Sequence, residues 1–191
     1  MKYFLSIFIT LLSSSLGGFQ SNIAVAATAD EQGATCPGIF QHAMKQLHSS
    51  NVLDLCSVSD GHPVLLVNTA SYCGFTDQFA DLEAIHQKYK EKGLVVIGVS
   101  SDSFDQEDQD ESKAAEVCFK NFGVSFTMLS TVPVRGDQAH PLFQEVARQQ
   151  AAPKWNFYKY LIDRHGHVVS IYSSFTLPND NDIEALLAAD S

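Results

Sequence analysis

The chain lacks several features that define common protein classes. It has 12 Lys and Arg against 22 Asp and Glu, a formal net charge of −10, which argues against binding to nucleic acid or to an anionic membrane. Every apolar run is well short of the roughly 20 residues that a membrane span needs. No Cys-x-x-Cys pair, internal repeat or long linker occurs. These absences disfavour a disulfide reductase, a repeat architecture and a chain of several domains.

The first 27 residues have the pattern of a secretory signal peptide. Lys2 precedes the apolar run 3–12, which is followed by a serine-rich stretch and by Ala24, Ala26 and Ala27. The small residues predict cleavage after Ala26 or Ala27. The pattern therefore predicts a secreted or periplasmic protein. We expect residues 28–191 to form a single domain, because a chain with 45% hydrophobic residues can bury a substantial core.

Four cysteines are available for disulfides or chemistry, and export permits disulfides. Cys36, Cys56, Cys73 and Cys118 allow three pairings, between which the sequence alone cannot choose. Cys36 and Cys56 precede the core pattern, so a bond between them would close a short N-terminal loop. Their position favours a structural disulfide and leaves Cys73 and Cys118 as the candidates for chemistry.

Cys73 lies where one hydrophobic pattern replaces another. Residues 64–67 are a β-branched apolar run typical of a buried strand, and residues 75–91 have apolar side chains at the three- and four-residue spacing of a helix. The free N–H groups of a helix N-terminus favour a thiolate over a thiol. On position alone, a reactive thiolate and a buried core cysteine are equally supported for Cys73.

The remaining patterns predict alternating strands and helices. We expect strands at 94–99 and 126–129, helices at 114–122, 141–148 and 180–189, and a hairpin of 158–162 with 168–172. Residues 37–49 suggest a short helix or ordered segment, and 52–58 a hairpin around the turn 59–61. The acidic run 101–111 is interpreted as a favourable lead into a helix. A strand, helix and strand in this order predict an α/β fold with a right-handed crossover.

Three separated blocks of the chain stand out as motifs. The first, NTASYCGFT at 68–76, is similar to the strand-turn-helix signature of glutathione peroxidases, with Cys73 where some members of that family carry selenocysteine. VPVRGDQAHPLF at 132–143 and WNFYKYLIDRHGHVV at 155–169 resemble two further family blocks, in the same order. GLVVIGV at 93–99 resembles the second core strand. The resemblance implies a thioredoxin-like fold, a central mixed sheet flanked by helices, which agrees with the predicted element order.

The resemblance also implies a catalytic tetrad of Cys, Gln, Trp and Asn. Cys73, Trp155 and Asn156 match the family motifs directly. The Gln is displaced, because the usual Cys-Asn-Gln-Phe-Gly motif followed by Gln-Glu is replaced here by SSDSFDQED. We assign it to Gln106, with Gln109 as the alternative. Without the Cys73 block, the favoured interpretations would be a core residue for Trp155 and a turn residue for Asn156.

Cys118 lies in VCFKNFGVSF at 117–126, which is similar to the resolving-cysteine helix of two-cysteine family members. Those members form an intramolecular disulfide and are reduced by thioredoxin-like proteins more than by glutathione. The alternative is a buried helix cysteine. The short segment between Phe143 and Trp155 lacks the extra loop of tetrameric members, so we expect a monomer.

The sequence thus predicts a peroxidase that reduces hydrogen peroxide and organic hydroperoxides and requires no cofactor. The histidines, among them His86, His140, His165 and His167, have no metal-ligand spacing. A thioredoxin-fold protein for thiol-disulfide exchange and a non-enzymatic redox sensor remain as alternatives.

Overall fold

The computed structural model describes residues 36–189. The predicted signal peptide, 1–27, lies outside the described residues, as do residues 28–35, so the signal peptide stays a prediction. Within the described part, none of the helices combines the length and apolar content of a membrane span.

A five-stranded mixed sheet forms the centre of the fold. Its strands lie in the order β5-β4-β3-β6-β7, where β3 is Val64–Thr69, β4 Val95–Ser100, β5 Thr127–Leu129, β6 Lys159–Ile162 and β7 Val168–Tyr172. β3, β4 and β5 are parallel, whereas β6 runs antiparallel to both β3 and β7. All six residues of β3 are buried, as expected for a central strand covered on both faces.

Helices cover both faces of this sheet. Alternate residues of a strand point to opposite sides, and in β3 the residues on both sides are buried. Leu65 and Val67 of β3 belong to a core shared with α2, Gln78–Tyr89, and α5, Asp180–Ala189. Val64 and Leu66 belong to a second core, shared with α4, Pro141–Gln149. The architecture is α/β, as the sequence predicts.

A small N-terminal unit is closed by a disulfide and is hydrogen-bonded to the edge of the sheet. β1, Ala43–Lys45, pairs with β2, Val52–Asp54, and α1, Leu55–Ser59, follows directly. The predicted Cys36–Cys56 disulfide is present, with a Cα–Cα distance of 5.6 Å. Leu47 N donates to Met128 O of β5, so this unit extends the edge of the central sheet.

Several local predictions are wrong, and the differences have physical reasons. The hairpin closes between β1 and β2 and not around 59–61; those residues form the C-terminal end of α1, where Asp60 has the left-handed φ of 47°. The segment 37–49, predicted as a short helix or ordered segment, does contain a short 3-10 helix, Gly38–Phe40, which is followed by β1. Helix α2 begins at Gln78 and not at Phe75, because the preceding residues form turns.

The helix predicted at 114–122 begins earlier and changes type along its length. α3 spans Glu111–Ala115, with Asp110 as its N-cap, and continues as a π-helix over Glu116–Asn121. A π-helical turn has longer hydrogen-bonded rings than an α-helix and is often found at functional sites. Cys118 lies within this turn.

Candidate active site

The candidate site residues converge at one edge of the sheet because of the strand directions. β3 and β4 are parallel neighbours, with Thr69 opposite Ser100, so the loops that follow both strands leave from the same edge. The segment 155–158 enters β6, which runs antiparallel to β3, and therefore starts at that edge too. The carboxyl ends of parallel strands are the common location of functional sites in α/β folds.

Cys73 lies in the turn-rich connection between β3 and α2. Its side chain is buried, 8% exposed. Thr76 closes the turn: its Oγ1 accepts from Cys73 N at 3.2 Å and donates to Cys73 O at 2.7 Å. Because α2 begins only at Gln78, Cys73 is not in the first helical turn, to which the electrostatic effect of a helix N-terminus is largely confined. The hydrogen-bonded loop, and not the helix, holds this cysteine.

Gln106 contacts the cysteine loop through its backbone and Asn156 through its side chain. Its carbonyl oxygen accepts from Tyr72 N at 3.0 Å. Its Oε1 accepts from Asn156 Nδ2 at 3.0 Å. Gln109, the alternative, is exposed and donates from Nε2 to Asp102 at 2.8 Å. Of the two glutamines, Gln106 is the one that the structure brings into contact with another candidate site residue.

Trp155 and Asn156 differ in exposure. Trp155 is 41% exposed, and its ring packs against Phe104 with the centroids 5.2 Å apart. Asn156 is completely buried, and its Oδ1 has no hydrogen-bond partner among the described residues. An unpaired buried amide oxygen costs free energy of folding, so packing alone does not explain why Asn156 occupies this position.

Asn68 fixes this segment, a role that the sequence reasoning missed although the residue belongs to the cysteine motif. Its Nδ2 donates to Trp155 O at 3.1 Å, and its Oδ1 accepts from Tyr158 N at 3.2 Å. Its backbone oxygen accepts from Phe157 N at 2.7 Å. These contacts hold Phe157 at the left-handed φ of 60°, which is rare for a bulky residue. A buried Asn at the end of an apolar strand was the available signal.

Cys118 belongs to the same hydrophobic core as Cys73. It is 2% exposed, and its Sγ lies 2.9 Å from the carbonyl oxygen of Ala114, to which it donates. Burial, reinforced by the negative charge of Glu107, raises the pKa of the Cys118 thiol to about 12. The two sulfurs are not bonded in this structure, and both cysteines are free. Cys118 is therefore a protonated, shielded thiol in this conformation.

Residues 36–189 contain no group of three or more His, Cys, Asp or Glu side chains arranged to hold a metal ion. Uncharged donors such as the Trp155 indole and the Gln106 amide suit a reaction in which negative charge develops on a leaving oxygen. This fold and this cysteine loop define a thiol-dependent redox enzyme.

Comparisons with known proteins identify the family. The glutathione peroxidase family model matches residues 39–147. The glutathione peroxidase-like peroxiredoxin gpx1 of Schizosaccharomyces pombe is 42% identical over 135 residues, which cover 66% of this chain and 85% of that protein. The glutathione peroxidase homolog BsaA of Halalkalibacterium halodurans is 45% identical over 132 residues, 65% of this chain and 84% of its own. The chain belongs to the glutathione peroxidase family and is a thiol peroxidase.

Solved structures agree on the fold. The crystal structure of Trgpx in apo form matches with a TM-score of 0.60 and 33% identity, covering 78% of this chain and 94% of that chain. A thioredoxin-family thiol:disulfide interchange protein from Chlorobium tepidum matches with a TM-score of 0.57 at only 12% identity, covering 85% and 99% of the two chains. The second match shows the fold alone, which is thioredoxin-like.

Proposed function

We propose that this peroxidase reduces hydrogen peroxide and small organic hydroperoxides with Cys73 as the nucleophile. The Cys73 thiolate attacks one peroxide oxygen, the O–O bond breaks, and the departing oxygen takes a proton to leave as water or an alcohol. Cys73 becomes a sulfenic acid, the first step of cysteine oxidation. Gln106, Trp155 and Asn156 donate hydrogen bonds to the sulfur and the leaving oxygen.

The observation that carries this proposal is the contact of Gln106 with both parts of the site. Its backbone bonds to the residue before Cys73, and its side chain bonds to Asn156. One residue thereby ties the nucleophile loop to the donor segment. The correct placement of reacting groups accounts for a large part of enzymatic rate enhancement.

Cys118 is proposed to resolve the sulfenic acid. Its thiol attacks Cys73, an S–S bond forms, and the hydroxyl leaves as water with the thiol proton. Two cysteines need Cα atoms within about 7 Å to bond. The shielded Cys118 therefore has to be released by local unwinding of its helix, and we expect this unwinding to begin in the π-helical turn Glu116–Asn121.

The reductant is proposed to be a thioredoxin-like protein, with glutathione as the alternative. A dithiol donor would exchange with the Cys73–Cys118 disulfide and leave both thiols reduced, becoming a disulfide itself. In a secreted or periplasmic location, which the signal-peptide pattern supports, the ambient poise favours disulfides. The electrons must then come from a dedicated donor. We also propose that the protein acts as a monomer.

The test is stopped-flow peroxide consumption by the reduced protein. Cys73→Ser should abolish the fast reaction, and retention of the wild-type rate would refute the assignment. Cys118→Ser should consume about one equivalent of peroxide and then lose turnover driven by thioredoxin. Full turnover in that variant would favour glutathione or a reductant that acts directly on Cys73. Insulin-disulfide reduction, expected to be slow, separates this function from thiol-disulfide exchange.

A further inference from the structure

The acidic segment after β4 contacts the Cys73 loop at consecutive positions. Gln106 O accepts from Tyr72 N at 3.0 Å, and Glu107 Oε1 accepts from Ser71 N at 3.3 Å. The carboxylate of Asp108 accepts from the Tyr72 hydroxyl at 2.7 Å. The sequence interpretation of this run as a favourable start for a helix accounts for Asp110, the N-cap of α3, but not for these contacts.

Glu107 differs from the other acids of the segment because it is buried. It is 8% exposed, and its carboxylate accepts hydrogen bonds from three parts of the site. Oε1 accepts from Ser71 N at 3.3 Å and Asp108 N at 2.9 Å, while Oε2 accepts from Ser100 Oγ at 2.8 Å. All three donors are neutral. The carboxylate thus links the end of β4, its own loop and the loop that carries Cys73.

A buried charge without a compensating cation is costly unless its hydrogen bonds are well satisfied. A carboxylate suits this position because both oxygens accept and neither needs to donate. An apolar residue would leave the N–H groups of Ser71 and Asp108 without their acceptor. Packing alone therefore does not account for Glu107, whereas holding three donors at the base of the cysteine loop does.

We propose that Glu107 is a positioning residue for the peroxidase reaction, whose carboxylate fixes the backbone at Ser71 and thereby the Cys73 sulfur relative to Gln106 and Asn156. This inference rests on the proposed role of Cys73. Glu107 does not touch the peroxide. It acts through the backbone that precedes the nucleophile.

The test compares Glu107→Ala with Glu107→Gln. The amide keeps an oxygen that can accept from both backbone N–H groups, and Ser100 can accept from its NH₂. Stopped-flow fluorescence of Trp155, the sole tryptophan, reports the oxidation step with hydrogen peroxide. We expect Glu107→Ala to lower the second-order rate constant by about 10- to 100-fold, since small displacements of reacting groups have effects of this order. Glu107→Gln should stay within about threefold of wild type.

Two controls make the result decisive. Glu91→Ala, which removes an exposed glutamate outside the candidate site, should react like wild type. If Glu107→Ala does not fold, Ser100→Ala, which removes the Oε2 donor together with the contact between Ser100 Oγ and Thr131 Oγ1, should still lower the rate. A wild-type rate in Glu107→Ala, or in a folded Ser100→Ala that replaces it, would overturn the inference. A rate in Glu107→Gln as low as in Glu107→Ala would do so too. Undiminished consumption by Cys73→Ser would instead contradict the proposed function.

Discussion

At the scale of single residues, the two free cysteines have different surroundings. Cys73 lies in a loop held by side-chain and backbone hydrogen bonds, whereas Cys118 lies inside a helical turn and donates to a carbonyl oxygen within its own helix. Desolvation penalises a thiolate, so the buried Cys118 stays protonated at neutral pH. Reactivity in the folded state should therefore be confined to Cys73.

Alkylation tests this difference. Because the pKa of Cys118 is raised to about 12, native Cys73→Ser protein should resist iodoacetamide at pH 8 and be modified at Cys118 only after unfolding in urea. Mass spectrometry of samples quenched after set times measures the fraction of protein alkylated at Cys118. Cys118→Ser provides the matched sample in which Cys73 alone can react. Equal rates for native and unfolded Cys73→Ser protein would contradict the shielded state.

Asn68 has no proposed part in the chemistry, but its replacement should displace the segment that carries Trp155 and Asn156. Asn68→Ala leaves Trp155 O and Tyr158 N without their side-chain partners. Unpaired buried groups cost about 1 to 3 kcal/mol each, so we expect a loss of about 3 kcal/mol in the free energy of unfolding and a slower reaction with peroxide. Urea denaturation and stopped flow measure the two effects. Asn51→Ala, in the exposed turn between β1 and β2, should change neither.

At the scale of elements, β6 carries a buried lysine. Lys159 is completely buried and donates to Ser173 O at 3.1 Å and Thr176 O at 2.9 Å. Ser174, between these two residues, donates from its hydroxyl to Asn156 O at 2.6 Å. The lysine thus holds the turn 173–176, which in turn contacts Asn156 through Ser174. The cost is that an ammonium group is buried.

This lysine should make stability depend on pH in the alkaline range. Burial lowers the pKa of Lys159 from 10.5 to about 8, so the folded protein releases this proton at lower pH than the unfolded chain does. The destabilisation due to its charge is complete below pH 8 and disappears as the pH rises towards 10.5. In Lys159→Met this gain should be absent.

Thermal unfolding of wild type and Lys159→Met at pH 7, 8 and 9.5 measures the difference. Cys118 acts in the opposite direction, because its raised folded pKa removes stability above pH 9.0, but it is common to both proteins. The difference between the melting temperatures therefore isolates Lys159. A constant difference across the three pH values would show that the pKa of Lys159 is not lowered in the folded protein.

At the scale of the whole molecule, the Cys36–Cys56 disulfide connects the start of the described chain to α1 and so closes the N-terminal unit. The two cysteines are separated by 20 positions, and closing a loop of this size stabilises a protein by about 3 kcal/mol in the loop-entropy model. We expect the Cys36→Ser/Cys56→Ser double variant to lose about this much in urea denaturation. Its rate with peroxide should be unchanged, because neither residue contacts the candidate site. A lower rate without a lower stability would contradict a structural role.

Most of the fold could be predicted from local patterns. The apolar runs at 64–67 and 94–99 are β3 and β4, and the segments at 141–148 and 180–189 are α4 and α5. The errors lie where tertiary contacts override propensity, as at the N-terminal hairpin, where residues 43–45 pair with 52–54. The start of α2 was misplaced because Phe75 has helical spacing although it belongs to the turns around Cys73.

The sequence by itself determined the family and the position of the candidate nucleophile, because these depend on motifs and on the order of residues along the chain. It favoured the Cys36–Cys56 disulfide, and the structure decided between the possible pairings. Only the tertiary structure decided how Glu107, Asn68 and Lys159 are used. Each is a polar residue whose partners are distant in sequence or come from turns that no periodicity predicts. The partners of a buried polar group depend on which segments the sheet brings together. The hydrogen bonds of the site could therefore not be predicted from the sequence alone.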